Sequence, residues 1–276
     1  MPGEITFRWL GVAGFSLQSD DFTLAVDPFF TRPPLRSVFG GRPKPRPELA
    51  EPYLPACEAI LVTHAHHDHL MDAPGIARRT GARLYGSPNS CRIAQLYGLP
   101  EGQTRVVEAG EAFEPGTLRV RAFAAQHTRI PFFGPGELKD NLRAPLHLHE
   151  YRMDRDYSYW IEADGFRVLD WMSVSAQGAR PAEVLLCGSM LDDINLARLL
   201  EMVQPRLVIP THWDHFFRPL EEMPRVMPGA RLKGHHPQVF ARRVQEMQAD
   251  CQVWIPELFA KRDLLAMVGG LATRAG

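Results

Sequence analysis

The sequence predicts an α/β fold, and three features carry the prediction. Short apolar, strand-like runs dominate the first half; strands alternate with helices in the second; and the histidines fall directly after strands. Strand ends are where α/β folds gather their chemistry, because the loops there are free to converge. With 276 residues, 45% of them hydrophobic, the chain can bury the core of one large domain. We read 1–276 as that single domain, with irregular loops at about 31–55 and 129–156.

Residues 4–9 and 21–26 read as strands joined into a hairpin by the Ser19-Asp20-Asp21 turn. From Thr31 to Pro55 seven prolines and little periodicity mark a long ordered loop. The apolar run 58–63 is a buried strand, and a helix over about 72–80, a strand at Arg83–Tyr85 and a helix over about 89–97 stopped by Gly98 follow. Strands are expected at 105–108 and 117–126, the latter ending at Gln126-His127. After the irregular stretch come strands at 157–163, 166–171 and 183–187, a helix at 193–203 and a strand at 206–210. A helix at about 236–248 and a strand at 251–254 complete the pattern.

Charge is balanced, 31 Lys+Arg against 32 Asp+Glu, so no overall field draws in nucleic acid and none is expected as a partner. The start, MPGEITFRWLG, lacks the basic and long apolar segments of a signal peptide, and no apolar run is long enough to span a membrane. Cys57, Cys91, Cys187 and Cys251 are scattered without paired spacing, as expected of reduced thiols in a cytoplasmic protein.

Four of the eleven histidines lie between residues 64 and 69, in Thr63-His64-Ala65-His66-His67-Asp68-His69-Leu70. Alternate residues of an extended segment share a face, so His64 and His66 can address one ion. The turn that follows brings Asp68 and His69 to a second position nearby. Imidazole and carboxylate suit zinc, and also iron or manganese. His67 points away from its neighbours and is expected to make a structural hydrogen bond.

His64-x-His66-x-Asp68-His69 after an apolar strand resembles the signature of the metallo-β-lactamase superfamily. Trp9-Leu10-Gly11-x-Ala13-Gly14-Phe15 and Leu24-Ala25-Val26-Asp27-Pro28-Phe29 resemble the first hairpin of the branch that holds L-ascorbate-6-phosphate lactonase and N-acylphosphatidylethanolamine-hydrolysing phospholipase D. His127 resembles the third ligand motif, and Pro210-Thr211-His212-Trp213 the last. The resemblance implies a four-layer αβ/βα sandwich with a metal site at one edge. It implies one ion held by His64, His66 and His127, and a second held by Asp68, His69 and His212. Asp27 would orient the histidine loop from behind, the alternative being a plain turn aspartate before Pro28. His215 is read as a wall of the pocket or a supporting group.

Two departures stand out. Val12 occupies a place where the family usually has histidine. The aspartate that bridges both ions in relatives aligns with Ser173, while Asp170 lies three residues early, an odd offset that turns it to the opposite face of a regular strand. Either Asp170 reaches in through an irregular strand end, or the second ion binds weakly.

The implied activity is hydrolysis of a small ester, lactone or phosphodiester by water activated at one or two divalent transition-metal ions, zinc foremost. Asp68 would orient that water or take its proton. The alternatives are an iron-dependent redox enzyme of the same fold and a degenerate member that binds a ligand without hydrolysis. Substrate choice is assigned to the two loops, which hold Arg32, Arg36, Arg42, Lys44, Arg46, Lys139 and Arg143 beside Phe132 and Phe133. His147 and His149 are either solvated or turned to substrate, and His235-His236 reads as a turn before a helix. The sequence leaves the oligomeric state open.

Overall fold

The computed structural model describes residues 3–128, 133–223, 225–227 and 236–270. In the first half, β1 (Ile5–Gly11), β2 (Gly14–Ser19) and β3 (Phe22–Val26) form an antiparallel meander. β4 (Ala59–Leu61), β5 (Arg83–Gly86) and β6 (Thr104–Val106) extend it in parallel from β3. The second half repeats the plan. β7 (Ala112–Phe113), β8 (Arg119–Ala124), β9 (Tyr157–Ala163) and β10 (Phe166–Trp171) are antiparallel. β11 (Val184–Gly188), β12 (Leu207–Thr211) and β13 (Gln252–Val253) then run parallel to β10. β14 (Lys261–Asp263) returns to pair with β1, so each sheet has seven strands.

Side-chain alternation along these strands builds four layers. Phe7, Trp9, Phe15 and Leu61 of the first sheet meet Val120, Tyr159, Val168 and Ile209 of the second in the central core. The outer face of the first sheet packs Ile60 and Leu84 against α2 (Ala73–Thr80) and α3 (Pro88–Leu96). The outer face of the second packs Leu169 and Leu185 against α4 (Asp193–Val203) and α5 (Pro237–Met247). The helix α4 shows why the residues choose this form. Leu196, Leu199, Leu200 and Val203 recur on one buried face. Asp192 caps its start by accepting the Asn195 N–H, worth about 1 kcal/mol. Gln204 closes it in the left-handed conformation.

The single hairpin expected from 4–9 and 21–26 is corrected: the turn at Asp20-Asp21 joins β2 to β3, and Val12-Ala13 makes a second, tighter turn between β1 and β2. Gly11 to Ser19 was hard to recognise because its residues are buried almost throughout, which hides the two-residue period. The short strands β7 and β14 and the one-turn helix α1 (His67–Leu70) also lay below the periodic signal. Phe132 and His235 lie outside the described residues.

Candidate metal centre

The dense histidine loop leaves β4 and enters α1, the chain staying extended through His66. Asp27, at the end of β3, anchors it. Asp27 Oδ1 accepts the Thr63 N–H at 2.8 Å, and Oδ2 accepts the Thr63 hydroxyl at 2.5 Å and His69 Nδ1–H at 2.6 Å. Thr63 has then spent its proton, so its Oγ1 acts as acceptor toward His64 Nδ1 at 3.1 Å. That places the hydrogen of His64 on Nδ1 and leaves Nε2 bare, 3.0 Å from His66 Nδ1. His127, just past β8, gives its Nδ1–H to the Thr128 carbonyl at 2.5 Å, which frees Nε2 as well.

Two donor groups result, each with its ligand atoms within 4.8 Å of one another: His64, His66 and His127, and Asp68, His69 and His212. Asp68 Oδ2 stands 3.6 Å from His69 Nε2 and 3.4 Å from His212 Nε2. The two groups adjoin, the rings of His64 and His69 lying 3.9 Å apart. Imidazole nitrogens of His64, His66 and His127 gathered together, with a buried His66 Nε2 that has no hydrogen-bond partner, are what a divalent cation satisfies. The donor set therefore fits a metal.

Electrostatics separate the groups. Burial holds His64 well below its usual range and His66 at about 3, so both stay neutral, as ligands must. Burial likewise opposes charge on His69, but the Asp27 and Asp68 carboxylates outweigh it and raise the ring to about 9. Burial would protonate Asp68, yet His69, His212 and His67 hold it well below the carboxylate range. Asp68 is thus an anion at neutral pH.

His212 is fixed by an unusual brace. Both His212 and Val12 adopt left-handed φ, 55° and 52°, which is strained for a β-branched residue such as Val12. The Val12 carbonyl accepts the His212 N–H at 2.8 Å, and Asp214 Oδ1 accepts the Val12 N–H at 2.8 Å. Asp214 Oδ2 pairs with Arg32 at 3.1 Å, both side chains buried. Val12 thus serves through its backbone.

Asp170 and Ser173 part company. Asp170 follows Val168 on the central face of β10, buried, with neither carboxylate oxygen hydrogen-bonded and belonging to neither donor group. Burial, then Asp27, push it well above the usual range. Ser173 reaches the pocket beside the histidines and accepts the Gln126 and Ser175 N–H groups.

Sequence reasoning missed Asp156. It sits at the foot of β9, its Oδ1 3.3 Å from His64 Nδ1, and burial raises it to about 8. Nothing in its local sequence marks it, because only the pairing of the two sheets, through Tyr157 N–H to the Thr63 carbonyl, brings it behind His64. The hydrogen bond expected for His67 is also absent. Both its ring nitrogens are buried without a hydrogen bond, Nδ1 lying 3.8 Å from Asp68 Oδ1, among Phe29, Phe133, Tyr151, Phe216 and Phe217. His215 accepts the Phe217 N–H and joins neither donor group. His147 Nδ1 binds the Gly41 carbonyl, and His149 lines a separate groove with Lys139 and Arg152. His236 caps α5 by accepting the Gln238 N–H.

Residues 23–213 match the beta-lactamase superfamily domain. A UPF0173 metal-dependent hydrolase of Myxococcus xanthus (strain DK1622) is 27% identical over 218 residues, covering 78% of this chain and 72% of that one. Igni18, a metallo hydrolase of Ignicoccus hospitalis KIN4/I, superimposes with a TM-score of 0.62 at 20% identity, covering 94% of this chain and 98% of that one. CmlA, a diiron beta-hydroxylase of Streptomyces venezuelae, superimposes with a TM-score of 0.65 at 14% identity, over 96% of this chain and 55% of its own. The two structural likenesses speak for the fold alone. A family match over most of the chain, with this order of sheets and donors, shows that the chain belongs to the beta-lactamase superfamily, as a metal-dependent hydrolase of the metallo-β-lactamase fold.

Proposed function

We propose that the chain hydrolyses a small ester, lactone or phosphodiester with one or two divalent transition-metal ions, zinc foremost, iron or manganese also suiting the donors. The observation that carries this reading is the pair of adjoining donor groups opening on one pocket. An ion bound there lowers the pKa of water toward neutrality and polarises the bond under attack. The chain's own part is to hold His64, His66 and His127 neutral, to keep Asp68 ionised, and to aim them. Asp68 is the one anionic member of the two groups, and on this reading it orients the attacking water or takes its proton.

With Ser173 at the pocket and Asp170 outside both groups, we read the site as lacking the bridging carboxylate that the family resemblance implies. A hydroxyl is the poorer ligand for a dication. The reading therefore gives the tighter ion to His64, His66 and His127, and a weaker one to the second group. Asp27 and Asp156 support His69 and His64 from behind. Among the described residues no helix is long and apolar enough to cross a membrane. The four cysteines are free and buried, which suits a reducing compartment, and the reading places the protein in the cytoplasm.

Elemental analysis of protein purified without chelator tests this. At least one zinc per chain, with turnover of a lactone, ester or phosphodiester, is expected; less than about a tenth of any ion would overturn it. Iron with oxygen-dependent turnover would point to redox chemistry instead, and metal-free protein retaining a ligand to a binding role. Asp68→Asn should lower turnover by about 100- to 10,000-fold.

A further inference from the structure

The two loops rich in cations and prolines were expected to wall the metal pocket, but among the described residues they do not. Beyond the metal-binding histidines and Thr128 beside His127, the described wall is made by the exits of β10 and β11: Trp171, Met172, Ser173 and Val174 from one, Gly188, Met190 and Leu191 from the other. No described residue of the wall is a lysine, arginine or carboxylate. Three of the loop cations serve elsewhere. Arg32 is buried against Asp214, Arg42 binds the Arg143 and Pro145 carbonyls, and Arg46 pairs with Glu48.

Two of the wall side chains are also left in solvent, Val174 at 38% and Met190 at 49% exposure. Large apolar groups beside a polar metal centre gain by being covered, at about 25 cal/mol for each Å² removed from water. The polar side chains of this wall besides the histidines, Ser173 and Thr128, are neutral. Ser173 Oγ accepts two backbone N–H groups, and its own hydrogen has no described acceptor, so it is free to donate to a carbonyl oxygen. A phosphodiester anion would ask instead for a guanidinium or ammonium group.

Resting on the hydrolase reading, we propose that the pocket takes an uncharged acyl compound, an ester, lactone or amide, with its apolar chain lying against Met172, Val174, Met190 and Leu191. Phosphodiesters are then the disfavoured class. The acyl carbon faces the histidines, and the leaving group departs on the open side. Water adds to the carbonyl, the bond from the acyl carbon to oxygen or nitrogen breaks, and the proton lost by the water reaches the leaving group by way of Asp68. Met190 becomes a specificity residue and stands clear of both donor groups.

The test uses zinc-loaded protein and the p-nitrophenyl acetate, butyrate and hexanoate series, with bis(p-nitrophenyl) phosphate as the charged comparison. kcat/KM should climb at least about tenfold from acetate to hexanoate as methylenes are buried. Met190→Arg should flatten that series and raise the phosphodiester relative to hexanoate, with metal content retained; Met190→Leu should preserve the climb. A flat series in the natural protein, or a climb that Met190→Arg leaves intact, overturns the proposal. Should zinc-loaded protein turn over neither class, the hydrolase reading fails. The pocket proposal is then decided by calorimetry with N-methylacetamide, N-methylbutyramide and N-methylhexanamide: affinity rising with chain length upholds it, equal affinities overturn it.

Discussion

The two donor groups lie side by side and are built on different principles. His64, His66 and His127 form a neutral set whose backing carboxylate, Asp156, touches His64 at 3.3 Å with neither oxygen otherwise hydrogen-bonded. Asp68, His69 and His212 include an anion, and their backing carboxylate, Asp27, is saturated by Thr63 and His69. The first set is positioned mainly by one short loop plus a single histidine from the second sheet. The second set depends on a long-range brace through Val12, Asp214 and Arg32. Both sets take two members from the dense loop and one histidine from the second sheet; what differs is that His127 is held by the adjacent Thr128 carbonyl and His212 through a distant buried ion pair.

Removing the brace should produce the largest separation between the groups. Arg32→Ala leaves Asp214 buried without its countercharge, which should cost about 3–5 kcal/mol in chemical denaturation. Cobalt titration of the folded variant should show the second group emptied and the first retained. Equal loss from both would mean that the brace serves the whole fold and not His212.

The supporting carboxylates give a smaller, more selective effect. Asp27→Asn should weaken the ion at His69, and Asp156→Asn the ion at His64, each by about 10- to 100-fold. Visible absorption of the cobalt-substituted protein reads the two sites separately, and the Asp27 change should be the greater because three hydrogen bonds are disturbed. Unchanged affinities in Asp156→Asn would show that His64 is oriented by Thr63 alone.

The smallest effect, of opposite sign, belongs to the residue between the groups. His67→Phe replaces a ring with two orphaned nitrogens by an apolar one in an aromatic surround, and should stabilise the protein by about 1–3 kcal/mol at pH 7. Burial holds His67 at about 4, below its ordinary 6.5. The unfolded chain therefore takes up a proton that the folded chain refuses, and the natural protein loses stability as pH falls from 6.5 to 4. The phenylalanine variant escapes that loss, so its advantage should widen by up to about 3 kcal/mol at the acid end. An advantage that does not change with pH would show that His67 finds a proton acceptor in solution.

What the sequence made legible follows from how local each feature is. The loop from His64 to His69 is a contiguous motif, and the helices α2, α4 and α5 carry their own periodicity and caps. Strand β2 did not show, since burial on both faces erased its alternation. Asp156, Arg32 and Asp214 escaped for another reason: each acts on a partner far along the chain, and a lone aspartate or arginine announces no partner. The wall residues at 171–174, 188, 190 and 191 were not singled out because cations and prolines at 31–55 look functional in composition. In the fold that stretch is occupied with holding itself, as Thr31 and the Phe30 and Arg46 amides converge on the buried Asp72.

The repeated sheet plan has a practical meaning for anyone wishing to alter this protein. Four of the six metal donors, His64, His66, Asp68 and His69, come from one connection of the first sheet, whereas His127, His212 and the wall residues at 171–174, 188, 190 and 191 hang from the second. The dense loop of donors is thus written in the first half of the chain, and the wall that meets the reactant in the second. A library confined to Met172, Val174, Met190 and Leu191 can sample new reactants while leaving the catalytic loop unedited, and the two halves can drift in evolution at separate speeds.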